Sequence, residues 1–382
     1  MEVRTTPPSA APAALCPRDA ADLTEILASH PTPLEPLGTG SKRAIGCPVS
    51  AAALDLSALS GLTAYEPAEL VLTAHAATPL SAVEAALGAE SQRFAFDPPN
   101  FNALLQASGE QTLGGIVAAN LAGSRRVSAG AARDHFLGCA AVTGRGERFN
   151  AGGRVVKNVT GYDVPKLLAG SWGTLAVLTT VTLRVAPAPE TERTLLVPCA
   201  SPSEAVTVLS GALGSPHDVA AAAFDPEVGC LLRLEGFAAS VEARYAALAA
   251  ALHPKDVGEV EAANSRALWN EIGGAAALAR WPVVWRISVA PSDAPRVLAA
   301  LEPERYLLDW GGGLIWAAFH GTDAARVRAA VREGHATLFK APYAARASTP
   351  VFQPQPPALA AALQRVKLAF DPDGRLNPGR LG

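Results

Sequence analysis

The sequence predicts an α+β protein of two domains, or of one domain with a second inserted before its C-terminal end, and three observations carry that prediction. A length of 382 residues exceeds what a single ordinary core accommodates. Candidate strands and helices alternate up to about residue 185, and Pro187, Pro189, Glu190, Glu192 and Arg193 then break the pattern before a second alternating run begins. With 49% hydrophobic and only 18% charged residues, the chain has the apolar content to bury both cores and is not a disordered polymer.

Along the chain, Leu23, Ile26 and Leu27 fall at helical spacing within residues 19–29, and Pro31, Pro33 and Pro36 stop that helix. Residues 70–74 read as a strand, after which Thr78 supplies an N-cap and Pro79 a first-turn proline for a helix reaching Leu87. Residues 112–121 form a small-residue helix candidate and 136–142 a strand. Residues 174–185 form a strand so rich in Thr, Val and Leu that burial is expected. In the second unit, helices at 203–213, 240–252, 292–301 and 323–333 interleave with strands at 230–234, 283–289, 306–310 and 314–319, a pattern of helices on an antiparallel sheet. A last helix at 357–369 leads into a turn-rich tail. The expected division is a first domain at 1–189, a cap of roughly ferredoxin-like packing at 190–345, and a returning tail at 346–382.

A formal net charge of -3 supplies no basic stripe, so nucleic acid is not an expected partner. Cys16, Cys47, Cys139, Cys199 and Cys230 are scattered, odd in number and never spaced as C-x-x-C, which argues against a disulfide framework and against zinc or iron–sulfur ligation. A reducing, cytoplasmic setting fits. Residues 1–16 lack the apolar core of a signal peptide, and no stretch approaches ~18 uncharged apolar residues, so membrane contact is expected only through a partner.

Three glycine-rich segments carry the functional signal. Gly38-Thr39-Gly40-Ser41-Lys42 follows an apolar stretch and could offer backbone N–H groups to a phosphate, although a tight turn is the commoner explanation when the cluster is taken alone. Arg43 replaces the third glycine of G-x-G-x-x-G, and Gly-Ser-Lys reverses the order of a P-loop, so neither nucleotide motif is supported. Gly114 and Gly115 within Thr112 to Asn120 would let a backbone or a flat ligand lie against a helix start with unsatisfied N–H groups. Gly170-Ser171-Trp172-Gly173-Thr174-Leu175-Ala176-Val177 runs directly into the buried strand.

Those segments, in that order, resemble the PCMH-type FAD-binding domain shared by vanillyl-alcohol oxidases, D-lactate dehydrogenases and glycolate oxidase subunits. Five further segments extend the likeness: Lys157-Asn158-Val159-Thr160-Gly161-Tyr162-Asp163, Trp285-Arg286-Ile287-Ser288 with Pro291-Ser292-Asp293-Ala294-Pro295, Asp309-Trp310-Gly311-Gly312, Gly334-His335-Ala336-Thr337 and Leu376-Asn377-Pro378-Gly379-Arg380. With them the sequence is similar to the E-type subunits of glycolate oxidases from about Pro31 onward. The resemblance implies FAD held by Gly38, Thr39, Gly40, Ser41 and Lys42 at the pyrophosphate, with a second contact region at Gly114, Gly115 and Asn120. It further implies backbone contacts from Gly170, Ser171, Gly173, Thr174 and Leu175, Val177 near the adenine, and Asn377 of the tail near the flavin ring. Several relatives tether FAD through a histidine in the first loop; this chain has none there, so noncovalent FAD is expected. The implied partners are a second, D-type flavin subunit and an iron–sulfur subunit, and the implied reaction is oxidation of glycolate to glyoxylate.

Catalytic relatives in the D-lactate branch place a histidine pair around a divalent metal, and this chain lacks that pair. His320 and His335 read as structural residues or as a ligand or base. Arg286, on a probable strand, suits a substrate carboxylate or a salt bridge within the cap. Tyr162 and His335 are the proton-transfer candidates nearest recognised motifs. Trp281, Trp285, Trp310 and Trp316 read as core or interface aromatics. Arg125-Arg126 reads as a solvated pair or as a contact to FAD phosphates or a partner, and Arg133-Asp134 as an intradomain ion pair.

Overall fold

A computed structural model describes residues 14–154, 161–252 and 257–382, so the Val155 to Thr160 stretch that precedes Gly161-Tyr162-Asp163 lies outside the described residues. The Asp19 carboxylate accepts the N–H groups of Ala21 and Asp22 and so starts the helix Ala20–Ser29, which buries Leu23 and Leu27. Strands β1 (Leu34–Leu37) and β2 (Ala52–Asp55) pair in parallel, and Leu376 of the tail bridges to Leu34. Leu23, Leu27, Leu34, Leu54, Val142, Val177 and Leu376 form the core that seats this small layer on its larger neighbour.

The larger sheet comprises β3 (Leu62–Glu66), β4 (Val71–His75), β5 (Gln92–Phe94), β6 (Phe136–Thr143), β7 (Arg148–Gly152) and β8 (Ala176–Pro187). Its order is β3-β4-β8-β6-β7, antiparallel, with β5 pairing with the end of β8. The Thr/Val/Leu-rich β8 lies between β4 and β6, which accounts for its nearly continuous burial. The expected Thr78 cap is not made. Thr78 Oγ1 instead donates to the His75 carbonyl at 2.7 Å, Pro79 is the cap residue of the helix Leu80–Ala89, and Glu110 accepts the Ser81 N–H at 3.0 Å.

The cap is a duplicated β-α-β-β-α-β unit. The first copy holds β9 (Thr191–Val197), the helix Pro202–Leu213, β10 (Ala221–Asp225), β11 (Gly229–Gly236), the helix Ala238–Leu252 and β12 (Gly258–Glu261). The second holds β13 (Val283–Ser288), the helix Ala294–Leu301, β14 (Arg305–Asp309), β15 (Leu314–Phe319), the helix Ala324–Ala330 and β16 (His335–Lys340). Their orders, β12-β9-β11-β10 and β16-β13-β15-β14, are the same ferredoxin-like order, and Phe224 of β10 pairs with Leu308 of β14 to fuse them into one eight-stranded antiparallel sheet. Residues of period two divide its faces. Trp285 and Ile287 meet the cap helices, whereas Val284, Leu314, Trp316 and Phe339 pack on Ile45, Phe101 and Leu104 of the first lobe.

An ionic cluster also joins the lobes. Arg93 pairs with Glu235 at 2.7 Å, Arg125 with Glu235 at 3.0 Å and with Asp97 at 3.2 Å, and Arg233 with Glu192 at 2.8 Å and with Asp97 at 3.2 Å. Against the cost of its burial, the hydrogen bond from Arg93 and the charges of Arg125 and Arg233 hold the Glu235 carboxyl down at about 2. Such a cluster adds little net stability but fixes how the lobes meet, since an unpaired member would be a stranded buried charge. Arg125 is therefore neither a solvated residue nor a phosphate contact. Arg133 and Asp134 do not pair either: Arg133 donates to the Lys166 carbonyl at 2.9 Å, and Asp134 lies 3.7 Å from Arg126.

After the helix Pro357–Phe370, the buried Asp371 accepts Lys367 Nζ and the Leu376 N–H, closing the turn that sends the tail back. Arg375 then donates to the carbonyls of Leu27, His30 and Gly144, and Arg380 to Glu35 and the carbonyls of Arg43 and Ile45.

Candidate functional site

A cleft opens between the small parallel layer and the large sheet. Gly38, Thr39, Gly40, Ser41, Lys42, Gly114, Gly115, Ser171, Gly173, Val177 and Asn377 all line it. Ala76, Thr112, Trp172 and Arg380 line it as well; the last three stand in the recognised segments without an assigned contact, and Ala76, a small apolar residue, carries no motif.

The glycines act through close packing. A Cβ on Gly38 would lie 2.7 Å from Thr112 Oγ1, and one on Gly114 2.8 Å from the Ala76 Cβ. The Gly114 N–H donates to the Ala76 carbonyl at 2.7 Å and the Gly115 N–H to Thr112 Oγ1 at 3.3 Å, so the free donors expected at this helix start are already used. The first loop supplies them instead. Among the described residues, the N–H groups of Thr39, Gly40, Ser41 and Lys42 meet no acceptor, and all four residues line the cleft, so this stretch has unspent donors to offer an anionic group. Lys42 lies beside them. Its ammonium donates to Gln111, has no carboxylate partner among the described residues, and is pushed down to about 8 by burial.

Four expected contacts fall outside the wall for identifiable reasons. The Asn120 Oδ1 accepts the Arg133 N–H, the Gly170 N–H is spent on the Val117 carbonyl, Thr174 Oγ1 donates to the Ser171 carbonyl, and Leu175 packs in the core. Tyr162 is 94% exposed and is not part of the cleft.

A second centre lies on the cap face that looks at the first lobe. The Arg286 guanidinium sits 4.8 Å from the Trp310 ring centroid and 5.8 Å from that of Trp316, with no carboxylate at ion-pair distance among the described residues. Burial, and to a lesser degree the charge of Arg126, pull it down to about 10 against the pull of Asp309. Asp309 is 1% exposed and is pushed up to about 7 by burial, while accepting the Trp310 N–H at 2.7 Å and the Ser124 hydroxyl at 2.8 Å. Trp310 Nε1 donates to the Gly123 carbonyl at 2.9 Å, so this turn pins the cap to the first lobe. The turn's Asp-Trp-Gly-Gly sequence could have signalled the role of Asp309. His335 opens β16 opposite Ser288, two residues along β13 from Arg286. His320 meets Trp281 edge-on at 5.1 Å, a packing role. Trp172 belongs both to the cleft and to the cluster that holds Trp310 and Trp316, and so connects the two centres.

Comparison with known proteins places this architecture. A model described as "FAD binding domain" matches residues 11–152. Glycolate oxidase subunit GlcE of Escherichia coli (strain K12) is 35% identical over 358 residues, 92% of this chain and 93% of that one. The chain belongs to the GlcE family of glycolate oxidase subunits. More distant likenesses agree with a GlcE-type flavoprotein. Glycolate oxidase subunit GlcD of Bacillus subtilis (strain 168) is 30% identical over 48% of this chain and 39% of its own, and a D-lactate dehydrogenase of Archaeoglobus fulgidus is 40% identical over 23% and 20%. A solved alkyldihydroxyacetonephosphate synthase superposes with a TM-score of 0.67 at 13% identity, covering 95% of this chain and 76% of that one, which shows the shared fold. The fold is thus the two-lobed PCMH-type FAD-binding architecture with a ferredoxin-like cap, and the protein is an FAD-dependent oxidoreductase.

The cleft fits the cofactor of a GlcE-type protein. Asn377 Oδ1 is buried without a hydrogen-bond partner while its Nδ2 is fixed on the Trp172 carbonyl at 2.8 Å, leaving a directed acceptor for a ligand N–H. The free donors and Lys42 suit an anionic group. No His, Cys or Tyr is among the described residues lining the cleft, so the wall offers no side chain of the types that tether a flavin.

Proposed function

We propose that this chain is the flavin-carrying E subunit of a complex that oxidises glycolate to glyoxylate, with FAD bound noncovalently in the cleft. The match to GlcE along nine-tenths of both chains carries this reading. The loop from Gly38 to Lys42 would hold the pyrophosphate, Gly114, Gly115, Ser171 and Gly173 would give the cofactor room at the backbone, and Asn377 would accept a hydrogen bond near the ring. Bound FAD supplies an acceptor for the hydride lost from Cα of the hydroxy acid.

Arg286 would hold the substrate carboxylate: a partly buried guanidinium beside the Trp310 and Trp316 rings, with no carboxylate at ion-pair distance among the described residues, gains a charge-assisted bidentate contact when a carboxylate arrives. At about 10 it remains charged at neutral pH. His335, near the end of the same cap face, is the proton acceptor that fits this site best. Asp309 has both carboxylate oxygens engaged by Trp310 and Ser124 and so positions Trp310 rather than reaching substrate. Tyr162, 94% exposed and outside the cleft, is given no role at this centre.

The partners we infer are a second, D-type flavin subunit and an iron–sulfur subunit in the cytoplasm. Among the described residues no helix is long and apolar enough to cross a membrane, so any membrane contact is assigned to those partners. Among the described residues no group of three or more His, Cys, Asp or Glu side chains is placed to hold a metal cluster that would carry single electrons onward. The isolated, FAD-loaded chain should therefore show no sustained glycolate turnover with an artificial acceptor, whereas coexpression with both partners should yield an active assembly that loses activity when this chain is deleted. Rapid multiple turnover by the chain alone would contradict the complex-dependent reading.

Lys42 gives the binding a defined pH dependence. Its amine is held near 8 in the free cleft, and a bound pyrophosphate would raise that value. FAD affinity should be flat below about pH 8 and fall by up to about tenfold per pH unit above it. Lys42→Met should bind FAD more weakly and lose that alkaline slope. An unchanged slope in a titration of apoprotein would place the pyrophosphate elsewhere.

A further inference from the structure

We propose that Cys199 and Cys230 form an oxidisable dithiol, a site of disulfide formation in the first copy of the cap repeat. Cys230 lies on β11 opposite Val197 of β9, and Cys199 follows Val197 by two residues, so the two side chains are diagonal neighbours. Their sulfurs are 3.1 Å apart, with the Cys230 thiol donating to Cys199. Closing that gap by about 1 Å reaches the ~2.05 Å of an S–S bond. The fold thus brings together two cysteines that the sequence places 31 positions apart. Cys16, Cys47 and Cys139 have no sulfur neighbour among the described residues.

Access differs between the two partners in the order that disulfide formation needs. Cys230 is fully buried, whereas Cys199 is half-buried between the exposed Pro198 and Ala200. A small hydroperoxide can reach Cys199. Its thiolate attacks one peroxide oxygen and breaks the O–O bond, and with hydrogen peroxide the leaving hydroxide takes a proton to give water and a sulfenic acid. Cys230 then attacks the Cys199 sulfur, the S–O bond breaks, and a second water leaves with the thiol proton. Two thiols and one peroxide become one disulfide and two waters. Burial raises the pKa of both thiols, so the pair reacts slowly, and faster at alkaline pH.

The bridge would span residues 199–230, enclosing the helix Pro202–Leu213 and β10, and it touches neither the cleft nor Arg286. The test is incubation of the FAD-loaded full-length protein with hydrogen peroxide at mildly alkaline pH, followed by thiol titration under denaturing conditions and peptide mapping. The expected result is loss of two titratable thiols per chain, a cross-linked peptide pair joining positions 199 and 230 that a reductant separates, a Tm raised by roughly 5 °C, and unchanged FAD content. Cys199→Ser, a change at the half-buried partner that keeps the side-chain size, should abolish the cross-link. Oxidation of Cys16 alone, or a sulfinic acid at Cys199 with Cys230 still free, would overturn the proposal.

Discussion

Gly173→Val should empty the flavin site while leaving most of the protein folded. Gly173 has a φ of +67°, and its neighbour Trp172 is also left-handed at 54°, so the chain makes two consecutive turns through a region that β-branched residues avoid. A Cβ at this position would stand 3.2 Å from Asn377 Nδ2, the group that holds the Asn377 amide with its Oδ1 toward the cleft. Valine adds two methyl groups at a surface the cofactor must approach. The strain should cost about 1–3 kcal/mol of stability, visible as a modest drop in Tm. FAD occupancy after gel filtration should fall by about tenfold or more, because both the space and the oriented acceptor are lost. A soluble variant that keeps full occupancy would show that this turn does not support the cofactor.

Arg286→Ala should have the other large effect, and on the opposite quantity. In the assembled complex it should lower kcat/KM for glycolate by roughly two to three orders of magnitude, about 3–4 kcal/mol, since one member of a desolvated charge pair is removed. FAD content should not change, because Arg286 does not line the cleft. Arg286→Lys should recover part of the loss but not the bidentate geometry. Steady-state kinetics with a soluble electron acceptor would check this. Undiminished kcat/KM in the alanine variant would make Arg286 a cap-packing residue and move substrate oxidation to another subunit.

The elements most legible in the sequence were those with a strong period or a strong composition. The buried β8, the cap helices at Pro202–Leu213 and Ala238–Leu252, and the strands β13, β14 and β15 lie within a few residues of their expected positions. Three of the cap strands that escaped detection are polar or small, while β16, with Leu338 and Phe339 buried, was missed despite its apolar side chains. β9 carries Glu192 and Thr194, both buried because Arg233 and the Ser265 and Trp269 side chains satisfy them, and β12 is a charged edge strand; neither shows apolar alternation. The alanine-rich β10 gives no strand propensity, although it is the strand that fuses the two cap units. For that reason the duplication was invisible while the ferredoxin-like packing was not.

At the site, glycine spacing and the family resemblance located the cleft, but not which backbone groups are free. That depends on long-range partners: Ala76 consumes the Gly114 N–H and Val117 the Gly170 N–H, and no local pattern reports either. The same holds for Asp309, whose burial arises only when Ser124 of the other lobe covers it, and for Arg125, which Asp97 and Glu235 draw into the lobe junction. Local sequence names candidate groups, and tertiary pairing decides which remain available to a ligand.

The central claim is that this fold holds FAD noncovalently in the cleft between its two N-terminal layers. The most direct measurement is the flavin content of the chain purified alone, read from its visible spectrum and, after acid precipitation, from chromatography of the supernatant. The expected result is a yellow protein that releases about one FAD per chain into the supernatant and leaves a colourless pellet. A colourless protein that takes up no FAD on reconstitution, or a pellet that retains the flavin, would contradict it.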